Sequence, residues 1–293
     1  MDISVALGGG GSRGYAHIGV LRFLESQGFC IRAVSGTSAG GIVAVAYAAG
    51  FSPSEMETKF SKLDQTKLFA RSPNEGPGIL GLSHAEDLFN ELFGERTFSD
   101  LRIPCAVVAV DLKGGREVIL NQGRVVDAVL ATIAVPGVFP PKDYGDVQLV
   151  DGAVLNPVPV SVARGLAPRL PVVAVILDIL NEVTSGFNSI PLPLPVPAPL
   201  VERLTRTRVA QAFNIFLQSV DVSSRNMSEL RLRIDNPEVV IRPDVNGIGL
   251  LDQVNISTVI QKGEDAARLA LPELQRAVSW PYRLRSRLFG RNE

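Results

Sequence analysis

The stretch Ile31-Arg-Ala-Val-Ser-Gly-Thr-Ser-Ala-Gly-Gly-Ile-Val-Ala-Val-Ala-Tyr-Ala-Ala-Gly50 decides how this chain is read. It opens as a short β-branched run and continues as a helix of small residues. At the joint stands Gly36-Thr37-Ser38-Ala39-Gly40, a Gly-x-Ser-x-Gly. A serine on such a strand-to-helix turn points its hydroxyl out of the carboxyl edge of a sheet. Gly36 and Gly40 remove the side chains that would collide in that elbow. The helix behind it offers free N–H groups and the positive end of its dipole to the serine, where negative charge develops in acyl transfer. The same residues also suit a glycine-rich βα turn with an incidental serine, so the rest of the chain has to decide.

Upstream, Ile3–Leu7 is an apolar run ending in Gly8-Gly9-Gly10-Gly11-Ser12-Arg13-Gly14, and Tyr15–Gln27 then has helical periodicity. Downstream, Ser52, Pro53 and Ser54 restart a helix through about Leu63, and Ser83-His-Ala-Glu86 has the form of a capping box opening another. Pro104–Asp111 and Arg116–Asn121 flank Lys113-Gly-Gly as a hairpin. A short helix over Asp127–Ile133 leads into Ala134-Val-Pro-Gly-Val-Phe-Pro-Pro141, and a strand over Val147–Val150 ends at Asp151-Gly152-Ala153. Val172–Leu177 is a buried strand, Val201–Met227 a helix, Val239–Arg242 the last strand, and Asn255 and Ser257 cap a helix running to about Val278. Apolar strands alternating with helices predict an α/β fold. Its central sheet is mainly parallel or mixed, with helices on both faces.

Composition narrows the function classes. Of 293 residues 46% are hydrophobic and 20% charged, with a net charge of −1, so no basic field points to nucleic acid. Two cysteines, Cys30 and Cys105, predict buried reduced thiols rather than a disulfide framework, and two histidines make no recognisable zinc site. The N-terminus reads as a first strand and no apolar run reaches the ~18 residues of a membrane span, which predicts a cytoplasmic protein.

Gly9, Gly11 and Gly14 also form a Gly-x-Gly-x-x-Gly between strand and helix, the setting of a dinucleotide fingerprint. That use needs an acid at the end of the second strand, and the nearest one, Glu25, lies back on the first helix. The alternative is a run of N–H groups open to an oxyanion. Arg13 beside a helix start is unfavourable unless it answers an anion. Activation of Ser38 by a histidine in the α/β-hydrolase order is excluded, because no histidine follows His84. His17 and His84 read as structural or exposed. A Ser-Lys pair ranks lower, because no Ser-x-x-Lys begins at Ser38. Asp151, at the end of an apolar strand, is the best carboxylate, although Asp151-Gly152 also reads as a plain turn and Asp111 is of similar quality. Such a base would need partial burial.

Three motifs in order, Gly9-Gly-Gly-Ser-Arg-Gly14, Gly36-Thr-Ser-Ala-Gly40 and Asp151-Gly-Ala153, resemble the signatures of the patatin-like phospholipase family. Ala134–Pro141 and Asn156-Pro-Val-Pro159 are similar to that family around its aspartate. The resemblance implies a three-layer α/β/α fold with residues 3–180 as the catalytic core. Residues 181–279 would be the C-terminal part of the same domain, and 280–293 a basic tail. It also implies a serine hydrolase of acyl esters of lipids without metal, nucleotide or other cofactor. Ser38 would be the nucleophile, Asp151 the base, Gly9, Gly10 and Gly11 the oxyanion loop, and Arg13 a basic, anion-facing position. A catalytically weak, lipid-binding regulatory protein of the same fold is the alternative. The proline-rich Ile190–Leu200 and the tail from Trp280 are either a surface loop and a solvated terminus or an apolar rim and anchor. The second reading predicts peripheral membrane contact.

Overall fold

The computed structural model describes residues 1–63, 68–73, 75–178 and 208–279. The proline-rich stretch and the tail from Trp280, with the membrane contact read into them, lie outside these residues. Five strands run parallel in the order β3 (Cys105–Asp111), β2 (Cys30–Thr37), β1 (Asp2–Leu7), β7 (Val172–Val175) and β8 (Val239–Ile241). Three antiparallel strands complete a mixed sheet. These are β4 (Arg116–Leu120), paired with β3, and β5 (Lys142–Tyr144), paired with β6 (Val147–Asp151).

Alternation along the strands builds two cores. Ile3, Val5 and Leu7 of β1 and Val173 and Val175 of β7 face one side, and Ala6, Val172 and Ala174 the other. The first side is covered by α1 (Ala16–Ser26), α2 (Ala39–Ala48), α3 (Pro53–Phe60), α4 (Ser83–Phe93), α5 (Val125–Thr132) and α8 (Ile256–Leu269). The second carries α6 (Val160–Leu166) and the C-terminal half of α7 (Arg208–Asp235), through residues such as Val160, Ala163 and Leu232. The expected sheet with helices on both faces is what forms. Gly19 and Gly263 let α1 and α8 touch backbone to backbone, since a Cβ on either would collide with a carbonyl of the other helix.

Local chemistry explains most boundaries. At α3 Ser52 caps Glu55 N–H while Glu55 answers the Ser52 N–H, with Pro53 in the first turn. The capping box expected at Ser83 does not form. Glu75 occupies that helix start instead, accepting from the N–H groups of Leu82 and Ser83 and from the Ser83 hydroxyl at 2.6–2.7 Å. The single helix expected from Asn255 to Val278 is two. Asn255 caps α8, and Pro272 in the first turn of α9 (Leu271–Val278) takes away the N–H that would continue it. Cys105 is buried, whereas Cys30 is exposed at the start of β2.

The pairing around β3 positions the site. β4 holds Val107–Asp111 along one edge, so β2 and β6 must share the other. β2 pairs as far as Thr37↔Val108, and β6 arrives antiparallel and ends at Asp151↔Ala109. Two strands running in opposite directions therefore terminate against neighbouring residues of β3. Whatever follows Thr37 meets Asp151.

Candidate active site

Ser38 follows β2 with φ 54° and ψ −127°, one of two non-glycine residues at positive φ among those described. Such a conformation persists only where its surroundings over-determine it. Gly36 and Gly40 make that possible, because a Cβ on Gly36 would run into the Gly40 carbonyl, and one on Gly40 into the carbonyls of Leu7 and Gly8. The elbow is held by hydrogen bonds as well. Ser38 N–H donates to Thr132 Oγ1 at 2.9 Å, and the Thr132 hydroxyl donates to the Val108 carbonyl at 2.5 Å. Behind the serine, Gly41 and Ile42 N–H groups close on the Ser38 carbonyl, which leaves Ala39 and Gly40 as open first-turn donors of α2.

Asp151 is 2% exposed and its carboxyl faces the Ser38 side chain in the same cavity. Burial pushes its carboxyl up to about 6, against the opposing pull of the Ser38 hydroxyl and of the Ala153 N–H, which donates to Oδ1 at 2.8 Å. Its own N–H donates to the Ala134 carbonyl at 2.9 Å. Gly152 is required next, because a Cβ there would strike the Val108 carbonyl. Asp111 has a different task. It takes the N–H groups of Lys113 and Gly114 and the Arg116 guanidinium in the β3–β4 turn, bonds that hold its carboxyl below the usual range.

The glycine loop lies against this pair, with a Cβ built on Gly9 falling 3.4 Å from Ser38 Cβ. The peptide between Gly8 and Gly9 is pinned at both ends. His17 Nε2 lies 2.7 Å from the Gly8 carbonyl, and Gly9 N–H donates to the Pro157 carbonyl at 2.9 Å. Gly9 is therefore not an oxyanion donor as expected, since its N–H is committed. Among the described residues the Gly10 and Gly11 N–H groups meet no backbone or side-chain acceptor, and they are the loop's open donors. Full burial lowers the His17 imidazole to about 4, so it is neutral with its proton on Nε2.

Arg13 is corrected too. It is 3% exposed and committed to Asp221 Oδ1 at 3.2 Å, to the Ile248 carbonyl at 2.7 Å and to the Leu177 carbonyl at 3.4 Å. It ties the loop to α7 and to the 248–250 segment instead of facing a ligand anion. The residues after Asp151 complete the frame. Thr37 Oγ1 donates to the Asn156 carbonyl and Ser35 Oγ to that of Pro159, while Asn156 Nδ2 donates to Glu117, itself paired with Arg231 of α7. His17 and Asn156 carried only weak signals in the sequence, and Thr132 carried none.

Ser38, Asp151 and the glycine loop open into one cavity. Much of its lining is apolar, including Ile42 and Val43 of α2, Phe60, Phe69, Phe89 of α4 and Val138. The lining also includes Arg13 with Asp221, and Asp178, whose carboxyl burial pushes to about 6 beside the Ser228 hydroxyl. Among the described residues no group of three His, Cys, Asp or Glu side chains could hold a metal ion, and no helix is long and apolar enough to cross a membrane.

The family model for patatin-like phospholipases matches residues 5–164, more than half of the chain, with the glycine loop, Ser38 and Asp151 inside the match. The chain belongs to the patatin-like phospholipase family. An uncharacterized NTE family protein of Mycobacterium tuberculosis is 31% identical over 94% of this chain and 48% of its own length. Patatin-like phospholipase domain-containing protein 6 of Mus musculus is 29% identical over 57% of this chain and 13% of its own. The chain thus spans about half the length of the mycobacterial relatives it matches. VipD from Legionella pneumophila shares the fold with a TM-score of 0.57 at 13% identity, over 94% of this chain and 67% of VipD.

Proposed function

We propose that this patatin-like chain is a serine acyl hydrolase that cleaves fatty acyl esters of lipids through an acyl-enzyme intermediate. The observation that carries this is the buried Asp151 carboxyl facing the hydroxyl of a serine on a strained elbow, both lining one largely apolar cavity. Ser38 Oγ attacks the ester carbonyl and Asp151 takes its proton. A carboxyl raised to about 6 is a stronger base than a free one and is still ionised at neutral pH. The N–H groups of Gly10 and Gly11, with Ala39 at the start of α2, stabilise the oxyanion. Asp151 then protonates the leaving alcohol, the acyl group remains on Ser38, and water activated by Asp151 releases the fatty acid. The apolar lining takes the acyl chain.

The test is hydrolysis of p-nitrophenyl esters of increasing chain length by wild type, Ser38→Ala and Asp151→Asn. Activity that both variants lose, with kcat/KM falling below about pH 6 to roughly a tenth at pH 5, supports the reading. An inert wild type, or an active Ser38→Ala, refutes it and leaves lipid binding without turnover as the use of the cavity.

A further inference from the structure

We propose that Thr132, which carries no reacting atom, is a positioning residue that sets the geometry of the Ser38–Asp151 pair; the proposal rests on the hydrolase reading above. Thr132 is the last residue of α5 and is fully buried. Its hydroxyl is used in both directions, accepting from Ser38 N–H at 2.9 Å and donating to the Val108 carbonyl at 2.5 Å. Val108 pairs with Thr37 at the end of β2, and its neighbour Ala109 pairs with Asp151 at the end of β6. One hydroxyl therefore bolts the nucleophile's own peptide to the point of β3 where both strands stop. Two residues further on, the Ala134 carbonyl receives Asp151 N–H at 2.9 Å, so a three-residue span holds the backbone of both partners.

The need for such a bolt follows from Ser38 itself. At φ 54° an L-residue is strained, and a buried N–H without a partner adds to that cost. If the hydroxyl is removed, the peptide is free to turn toward an ordinary conformation, which moves the serine hydroxyl relative to Asp151 and the open Gly10 and Gly11 donors. Displacement on the order of 1 Å in such a site costs about 10²-fold in rate. The methyl has a separate role, since Thr132 Cγ2 packs against Gly41 of α2.

Valine matches threonine in shape and lacks the hydroxyl. Serine keeps the hydroxyl and lacks the methyl, and alanine lacks both, so the serine–alanine pair isolates the hydroxyl. The experiment measures kcat and KM on one p-nitrophenyl ester, the rate of fluorophosphonate labelling, and the melting temperature. The proteins are wild type, Ser38→Ala, Thr132→Val, Thr132→Ser and Thr132→Ala. We expect Thr132→Val to lose about 10- to 100-fold in kcat and in labelling rate, with KM within about twofold. Thr132→Ser should stay within about threefold of wild type, and Thr132→Ala should fall at least about tenfold below Thr132→Ser. If valine does not fold at that site, the serine–alanine comparison carries the test alone. Wild-type kcat in Thr132→Val, or equal loss in serine and alanine, overturns the positioning role while an inactive Ser38→Ala leaves the hydrolase reading standing. An inert wild type, or an active Ser38→Ala, overturns both.

Discussion

Replacing Asp151 by asparagine should stabilise the fold while it abolishes turnover. Burial carries this carboxyl from its ordinary 3.8 to about 6, so keeping it ionised at neutral pH costs the folded state about 3 kcal/mol. Asparagine has the same shape, keeps an oxygen for the Ala153 N–H and presents an amide to the Ser38 hydroxyl, so little else is lost. For a chain of this size the gain corresponds to a melting temperature higher by on the order of 5 °C at pH 7.5. The sign depends on pH. Below about pH 4 the carboxyl is protonated in both folded and unfolded chains and the penalty is absent. It grows as pH rises, because the unfolded chain releases its proton first, and is complete once pH passes about 6. Wild type and variant should therefore melt together near pH 4 and separate between pH 4 and 6. Ester hydrolysis should drop by about 10²- to 10⁴-fold, the loss expected for a general base. Scanning calorimetry of both proteins from pH 4 to 8, with hydrolysis measured in parallel, decides the matter. An Asp151→Asn protein no more stable than wild type at pH 7.5, or a gap that stays constant with pH, would refute the argument that desolvation sets the base.

Ile42 lines the cavity one helical turn after the serine, so Ile42→Trp should depress hydrolysis of long-chain esters at least about tenfold relative to butyrate. Unchanged chain-length preference would place the acyl chain elsewhere. A methyl at Gly40 meets two main-chain carbonyls of the β1–glycine-loop junction, so Gly40→Ala should destabilise by more than about 2 kcal/mol and erase fluorophosphonate labelling. A folded, labelled Gly40→Ala would show that the elbow is softer than its contacts imply. His17→Phe removes the donor to the Gly8 carbonyl and should slow turnover with KM unchanged, whereas His17→Gln, which keeps an N–H, should recover part of it. Equal activity in the two variants would mean that the glycine loop does not depend on that bond.

Much of this protein is written locally. Ile31–Gly50 specifies its own strand, elbow and helix, because β-branched residues, glycines and small helix formers each have one comfortable conformation there. The order of apolar strands and helices was enough for a layered α/β sheet, and the absence of a histidine after His84 was enough to direct attention to a carboxylate. Choosing between Asp151 and Asp111 required the tertiary structure, since both end apolar strands. Only strand pairing across β3 brings Asp151 to Ser38 and leaves Asp111 to cap a turn. The same holds for the main-chain N–H groups. Gly9, Gly10 and Gly11 are alike in sequence, and it is the Pro157 carbonyl, 148 residues on, that occupies the first and leaves the other two open. Arg13 looked like an unpaired cation because Asp221 is far away in the chain. Thr132 had no signature at all. Hydrogen bonds and burial join residues that the chain separates by a hundred positions or more, and those contacts decide which carboxylate meets Ser38, which amides stay open and what Arg13 binds.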